Sequence, residues 1–269
     1  MKAVVLYSGG MDSRILWELA VRQNVDAIAV WYGHGHPSDA AEQARLPLHV
    51  TQRRVDWLGG SGDGMYVKEG DPNPAIYIPG RNLAFGVLAC CQFLPDQLWL
   101  GGLGPEDHVR ATDKCTPFLH IAEAACTTAL QPFLPNKRVT WRMPLAERRW
   151  EKLDAVQWFA SVRNDAREQL YATWSCHRFD AARDRQCGRC PQCLRRSIIS
   201  YAMGWPPEDM EDDPMTHEDN RHWLVRQFEA AGKPDATPMF IHLVRCYRDR
   251  YADDHDLQLI ADLIERRVG

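Results

Sequence analysis

No stretch of the chain stays apolar for the ~18–20 residues that a membrane-crossing helix needs, so the sequence offers no span. Basic charge is not in excess. With 32 Lys and Arg against 36 Asp and Glu the formal net charge is −4, and no global positive field points to nucleic acid. No leader peptide is expected, because apolar Ala3-Val4-Val5-Leu6 enters a strand at once. Internal repeats are absent. No Gly-Lys-Ser/Thr follows a glycine turn, which excludes the Walker form of phosphate loop. What remains is a globular chain of 269 residues, 45% apolar, with room for one large domain or one domain and an appendage. A cytoplasmic location and no membrane partner are the expectations.

The chemistry starts at Tyr7-Ser8-Gly9-Gly10-Met11-Asp12-Ser13. The apolar run before it reads as a buried parallel strand. After it, Ile15, Leu16, Leu19 and Ala20 fall at helical spacing, with Arg14, Glu18 and Arg22 expected on the solvent side. Adjacent glycines permit a sharp turn and close approach to a ligand. The new helix aims free N–H groups and its positive dipole end at that turn. Ser8 and Ser13 add hydroxyls. The turn is a phosphate cradle or a plain strand-to-helix connection; the residues by themselves leave both open. Their order, SGGMDS, resembles the PP-loop of the ATP pyrophosphatase superfamily, which splits ATP between its α- and β-phosphates. That resemblance implies that Tyr7 to Ser13 hold ATP, that the loop keeps the pyrophosphate, and that Asp12 places magnesium (Mg2+).

A second buried strand, Ala27 to Tyr32, makes a β-α-β unit with the first. Gly33-His34-Gly35-His36 follows at its C-terminal end, the edge where open α/β sheets bind ligands; polar filler is the plain alternative. A short helix is expected at Asp39 to Arg45, and a third strand of uncertain limits around Leu48 to Val50 and Val55 to Leu58. Gly59 to Pro74 is a long loop. Pro79-Gly80 then turns into the helix Leu83 to Phe93, leaving Arg81 and Asn82 at its start, suited to a phosphate and a base edge. The alternative is an Asn82 N-cap and an Arg81 surface charge. Strands at Leu98 to Leu100 and Val139 to Arg142, and helices at Phe118 to Leu130 and Trp150 to Ser161, complete the α/β pattern.

Of nine cysteines, Cys90, Cys91, Cys126 and Cys246 lie in apolar segments and read as core. Cys176, Cys187, Cys190 and Cys193 cluster instead. One cysteine followed by Cys-x2-Cys-x2-Cys suits a closed tetrahedral zinc (Zn2+) site of structural type. An iron–sulfur cluster also takes four thiolates, but the ferredoxin-type fourth Cys-Pro does not follow. Six arginines between Arg178 and Arg196 read as a solvated knuckle surface or a phosphate contact. Residues 206–219, PPEDMEDDPMTHED, are acidic and proline-rich, and read as a linker without a core. Three helices are expected after it, at 221–231, 238–251 and 255–267. The organisation expected is therefore an ATP-binding α/β domain over 1–170, a four-cysteine zinc lobe over 171–204, a linker over 205–220 and a helical extension over 221–269.

In this order, SGGMDS, YGHGH, IPGRN and CGRCPQCLRR resemble the 7-cyano-7-deazaguanine synthases of queuosine and archaeosine biosynthesis, over about residues 1–204. The resemblance implies a parallel sheet with helices on both faces and a small zinc lobe. It also implies an ATP-dependent carbon–nitrogen ligase. Such an enzyme adenylates 7-carboxy-7-deazaguanine, captures ammonia as an amide, and dehydrates this through a second adenylation. Arg81 and Asn82 would complete the nucleotide site and Lys152 would stabilise phosphoryl charge, unless it is a surface lysine. Tyr32, His36, Asp107 and Asp113 would bind the deazaguanine. The family's aromatics between the two aspartates are missing, as is its arginine after the second, where Lys114-Cys115 stand here, so a relative with another acceptor, even a protein amine, is an alternative. An RNA-thiolating PP-loop enzyme and a non-enzymatic adaptor are weaker alternatives. A homodimer is a further expectation.

Overall fold

The computed structural model describes residues 1–35, 39–55, 80–104, 114–176, 185–230 and 238–268. Among these, the residues up to Trp174 form one compact unit and those from Ser175 a second.

The first unit is built on five parallel strands: β1 (Lys2–Leu6), β2 (Asp26–Gly33), β3 (Thr51–Arg54), β4 (Gln97–Trp99) and β5 (Thr140–Arg142), in the order β3-β2-β1-β4-β5. In β1, Val4 pairs with Ile28 of β2 on one side and Leu98 of β4 on the other. Side chains alternate along a strand, so a continuous apolar run requires cover on both faces. Val4, Leu6, Val30 and Tyr32 enter the core with Leu83 and Phe85 of α3 (Arg81–Phe93) and Phe118 of α4 (Thr116–Leu130). On the other face Tyr7, Ala29 and Trp31 meet Trp17 of α1 (Met11–Arg22). The short helix α2 (Asp39–Gln43) is tied down where Trp31 Nε1 donates to Glu42 at 3.0 Å. After β5 come α5 (Pro144–Glu147), α6 (Lys152–Val162) and α7 (Ala166–Tyr171).

Four sequence expectations change in this unit. The third strand is polar Thr51–Arg54, an edge strand lying between the two apolar pairs that pointed to it; residues 56–58 lie outside the described residues. Arg14 and Glu18 do not face solvent: both are buried, because Phe159 of α6 and Gln169 of α7 cover that side of α1. Cys91 is exposed rather than core. Asn82 is the second residue of α3 and Gly80 its N-cap, so Asn82 is not the N-cap.

The second unit packs α8 (Pro191–Ala202), α9 (Glu218–Ala230), α10 (Pro238–Arg250) and α11 (His255–Val268) around Leu194, Ile198, Leu224, Leu243, Tyr247, Leu257 and Ile264. Leu257, Ile260, Ala261 and Ile264 do share the buried face of α11. The acidic stretch expected to be a linker carries buried Met210 and Met215, and its carboxylates find arginine partners. Arg196, expected on a solvated surface, is fully buried for the same reason. No described helix is long and apolar enough to cross a membrane.

Candidate functional site

In a sheet of this order the chain leaves β1 in both directions, and the crevice beyond the strand C-termini at that reversal is the usual ligand position. The Ser8–Ser13 turn occupies it. Gly9 has φ +76°, a left-handed conformation that disfavours any side chain, and Glu42 would stand 3.4 Å from an added Cβ. Gly10 is the N-cap of α1, and no side chain caps that helix. The first-turn N–H groups are thus left to the crevice, as an anion site requires. Ser13 Oγ donates to the Gly10 carbonyl at 2.9 Å and lies 3.4 Å from Ser8 Oγ. Trp174 N–H donates to the Gly9 carbonyl at 3.0 Å, fixing the turn from behind.

Asp12, the second residue of α1, stands beside this cradle. Lys152 Nζ lies 3.2 Å from Asp12 Oδ2. The other oxygen, Oδ1, is enclosed without a hydrogen bond among the described residues. A buried carboxylate oxygen left without a donor suits a hard divalent cation such as magnesium. Lys152 is the first residue of α6, placed there by a capping box. The N-cap Glu151 and Asp154 satisfy each other's end groups, with Glu151 N–H donating to Asp154 Oδ2 at 2.9 Å. The signal for Gly101 was its place after β4, but not its purpose. A Cβ there would stand 3.5 Å from Asp12 Cβ and 3.6 Å from Ser13 N, ordinary contacts that show how closely the chain after β4 passes the cradle.

The other residues divide. Tyr7 and Met11 are buried, and burial pushes the Tyr7 hydroxyl up to about 12; their side chains build the cradle's base rather than its mouth. Tyr32 is buried too, stacked on Phe85 at 5.1 Å with its hydroxyl 3.1 Å from Gln92 Oε1. Arg81 and Asn82 form the first turn of α3 behind Gly80, whose φ is +71°. His34, buried beside Asp39 at 3.3 Å, has its pKa lowered by desolvation, against the pull of Asp39. Asp39 also accepts from the N–H groups of His34 and Gly35, at 2.7 and 2.8 Å, a restraint the sequence did not signal. His36, Asp107 and Asp113 lie outside the described residues.

The second unit carries the thiols. Cys176, Cys187, Cys190 and Cys193 are all buried, with their sulfurs within 4.8 Å of one another. Cys187 and Cys193 sulfurs are 3.9 Å apart, and those of Cys190 and Cys193 3.5 Å. A tetrahedron of ~2.3 Å zinc–sulfur bonds has edges of about 3.8 Å. The four sulfurs therefore fit a single ion. Backbone N–H groups support them: Cys187 N–H donates to Cys176 Sγ at 3.4 Å, and Arg189 N–H to Cys187 Sγ at 3.3 Å. Shared hydrogen bonds among the thiols, with Cys187 the first partner, push Cys176 up, while the bond from Cys176 pulls Cys187 down.

A family profile described as queuosine biosynthesis protein QueC matches residues 2–200. Among similar curated proteins is a 7-cyano-7-deazaguanine synthase of Xanthomonas axonopodis pv. citri. It is 31% identical over 227 residues, which cover 76% of this chain and 95% of that protein. The synthase of Rhodopirellula baltica is 29% identical over 220 residues, 73% of this chain and 86% of its own. That of Paracoccus denitrificans is 27% identical over 246 residues, 83% of this chain and 96% of its own.

Proposed function

Since the chain belongs to the QueC family of queuosine biosynthesis proteins, we propose that it converts 7-carboxy-7-deazaguanine and ammonia to 7-cyano-7-deazaguanine while consuming ATP. The observation that carries this reading is the Asp12–Lys152 pair, 3.2 Å apart at the uncapped start of α1. A cation and a metal-binding carboxylate beside an anion cradle are what phosphoryl chemistry asks for.

In this reading the substrate carboxylate attacks the α-phosphorus of ATP and pyrophosphate leaves into the Ser8–Ser13 cradle. The N–H groups of α1 hold its charge there, and Lys152 neutralises the charge that develops on the phosphoryl oxygens. Asp12 would hold magnesium, which supplies charge neutralisation across the phosphates. Ammonia then displaces AMP to give the amide. The amide oxygen attacks the α-phosphorus of a second ATP, pyrophosphate leaves, and loss of AMP and a proton then gives the nitrile. Arg81 and Asn82 would complete the nucleotide site, and Asp107 and Asp113 would accept the N–H edge of the base. The four thiols would hold zinc in a structural role, since a closed tetrahedral site has no open position. Their compact spacing argues against the iron–sulfur cluster of a thiolating enzyme, whose own sulfides would hold the thiolates farther apart.

The test is incubation with ATP and the acid, with and without ammonia, read by mass spectrometry. Nitrile, AMP and pyrophosphate are expected. Asp12→Asn and Lys152→Met should each lower AMP formation by ~100-fold or more. Release of ADP would end the reading. A product that stops at the amide, or mass added to a protein, would instead select the reading with another acceptor, which the altered loop between Asp107 and Asp113 favours.

A further inference from the structure

The Cys-x2-Arg pattern places Arg196 one helical turn beyond Cys193, and the guanidinium turns away from solvent entirely. Its Nε and Nη2 donate to the two carboxylate oxygens of Glu208, each at 2.7 Å. Its Nη1 donates to Ser175 Oγ at 3.3 Å. Gln186 Nε2 donates to the same carboxylate at 2.7 Å, while Gln186 Oε1 accepts from Ser175 N–H at 3.3 Å. Ser175 precedes Cys176, Gln186 precedes Cys187, and Arg196 follows Cys193. One buried carboxylate therefore gathers the separate chain segments that carry the thiols.

The backbone around Glu208 continues the contact. Glu211 N–H donates to the Gln186 carbonyl at 3.0 Å, and Met210 forms a bridge with Gln186. Arg189, between Cys187 and Cys190, pairs with Asp212 at 2.5 Å. Gly188 has φ +73°, and a Cβ there would fall 2.0 Å from the Asp212 carbonyl oxygen. A buried bidentate pair adds little net stability, because desolvation offsets its attraction. What it does supply is a fixed geometry with one satisfied arrangement.

We propose that residues 208–212 are a strap that holds the four thiols at metal-binding spacing, with Glu208 and Arg196 as positioning residues that themselves touch no metal. The proposal rests on the reading of the thiols as a zinc site. Partners behind metal ligands typically govern about 10–100-fold in affinity.

The experiment measures zinc content of the full chain, the rate of zinc transfer to a chromogenic chelator, and the visible bands of the cobalt-substituted protein. Wild type should hold zinc. Glu208→Ala should release it about 10–100-fold faster and alter the cobalt bands. Glu208→Gln, which keeps polar atoms for Gln186 and Arg196, should recover part of both. Arg189→Ala, at a half-exposed pair, should speed release several-fold without endangering the fold, and decides the matter if Glu208→Ala is insoluble. A wild type without zinc would defeat the metal reading itself. Zinc in the wild type, with release rates and cobalt bands unchanged in folded variants, would defeat the strap alone, even if their melting temperatures fell.

Discussion

Glu18 shows how far a single side chain departs from what its spacing suggests. It accepts from Arg22 Nε and Arg163 Nη1, each at 3.0 Å, and Arg14 Nη1 stands 4.0 Å away. Arg14 lies over the Phe159 ring and also binds Gln169 Oε1. Desolvation lowers the Arg14 pKa, which the neighbouring carboxylate resists. Glu18→Ala should therefore cost about 3 kcal/mol, since it leaves guanidinium charge buried without compensation. Arg22→Ala, at a half-exposed partner, should cost less than about 1 kcal/mol. Urea unfolding of both variants checks the order, and equal losses would refute it. Arginine and glutamate at helical spacing ordinarily mark a wet face, so only the placement of α6 and α7 could disclose this one. The same holds for Asp12 and Lys152. Their motifs named them, but nothing in one-dimensional spacing brings residues so far apart in the chain to 3.2 Å.

Among the elements, α3 meets β5 through Gly86. Alanine normally improves a helix over glycine by ~1 kcal/mol. Here an added Cβ would lie 1.9 Å from Trp141 Cζ2. Trp141 cannot retreat easily: Phe118 packs edge-on at 5.7 Å and its Nε1 donates to Cys126 Sγ at 3.4 Å. Gly86→Ala should thus destabilise by about 1–3 kcal/mol, measured by thermal or urea unfolding; a gain would mean that Trp141 shifts freely. Elements with strong apolar periodicity, such as α1, α3, α4 and α11, were legible in the sequence to within a few residues. β3 was not, because its apolar signal sits in buried Val50 and Val55 on either side of an exposed polar strand. The six-residue α7 is too short to show a period. The acidic stretch after Trp205 misled because composition counts its charges and not their partners. Glu208 and Asp212 each meet an arginine, and two methionines between Pro207 and Thr216 are buried.

At the scale of the whole molecule, the described residues pack hydrophobic clusters on both faces of the sheet and another among α8 to α11. In the proposed reading the sheet unit takes ATP and the helical unit zinc. A ligand that binds only the native form stabilises it by ~2.7 kcal/mol at a hundredfold excess over its dissociation constant. Hydrogen exchange resolved by peptide should then show ATP slowing exchange in β1 and α1, and zinc removal speeding it in α8, α10 and α11. Equal responses of both sets to either ligand would contradict this. The motifs pointed to the two proposed chemistries, whereas the extent of the second core was hidden in a region that composition marks as unable to form one. The sheet order has a different consequence, for synthesis. β1, made before the other four strands of this sheet, is the central one, and its second neighbour β4 begins only at Gln97. Until that segment is made, β1 keeps an open backbone edge flanked by Val4, Val5 and Leu6, and closing so long a loop is slow. The nascent chain is therefore most exposed to strand-to-strand aggregation while residues 7–96 are being translated, and a chaperone that shields the first strand should raise its soluble yield more than one acting after release.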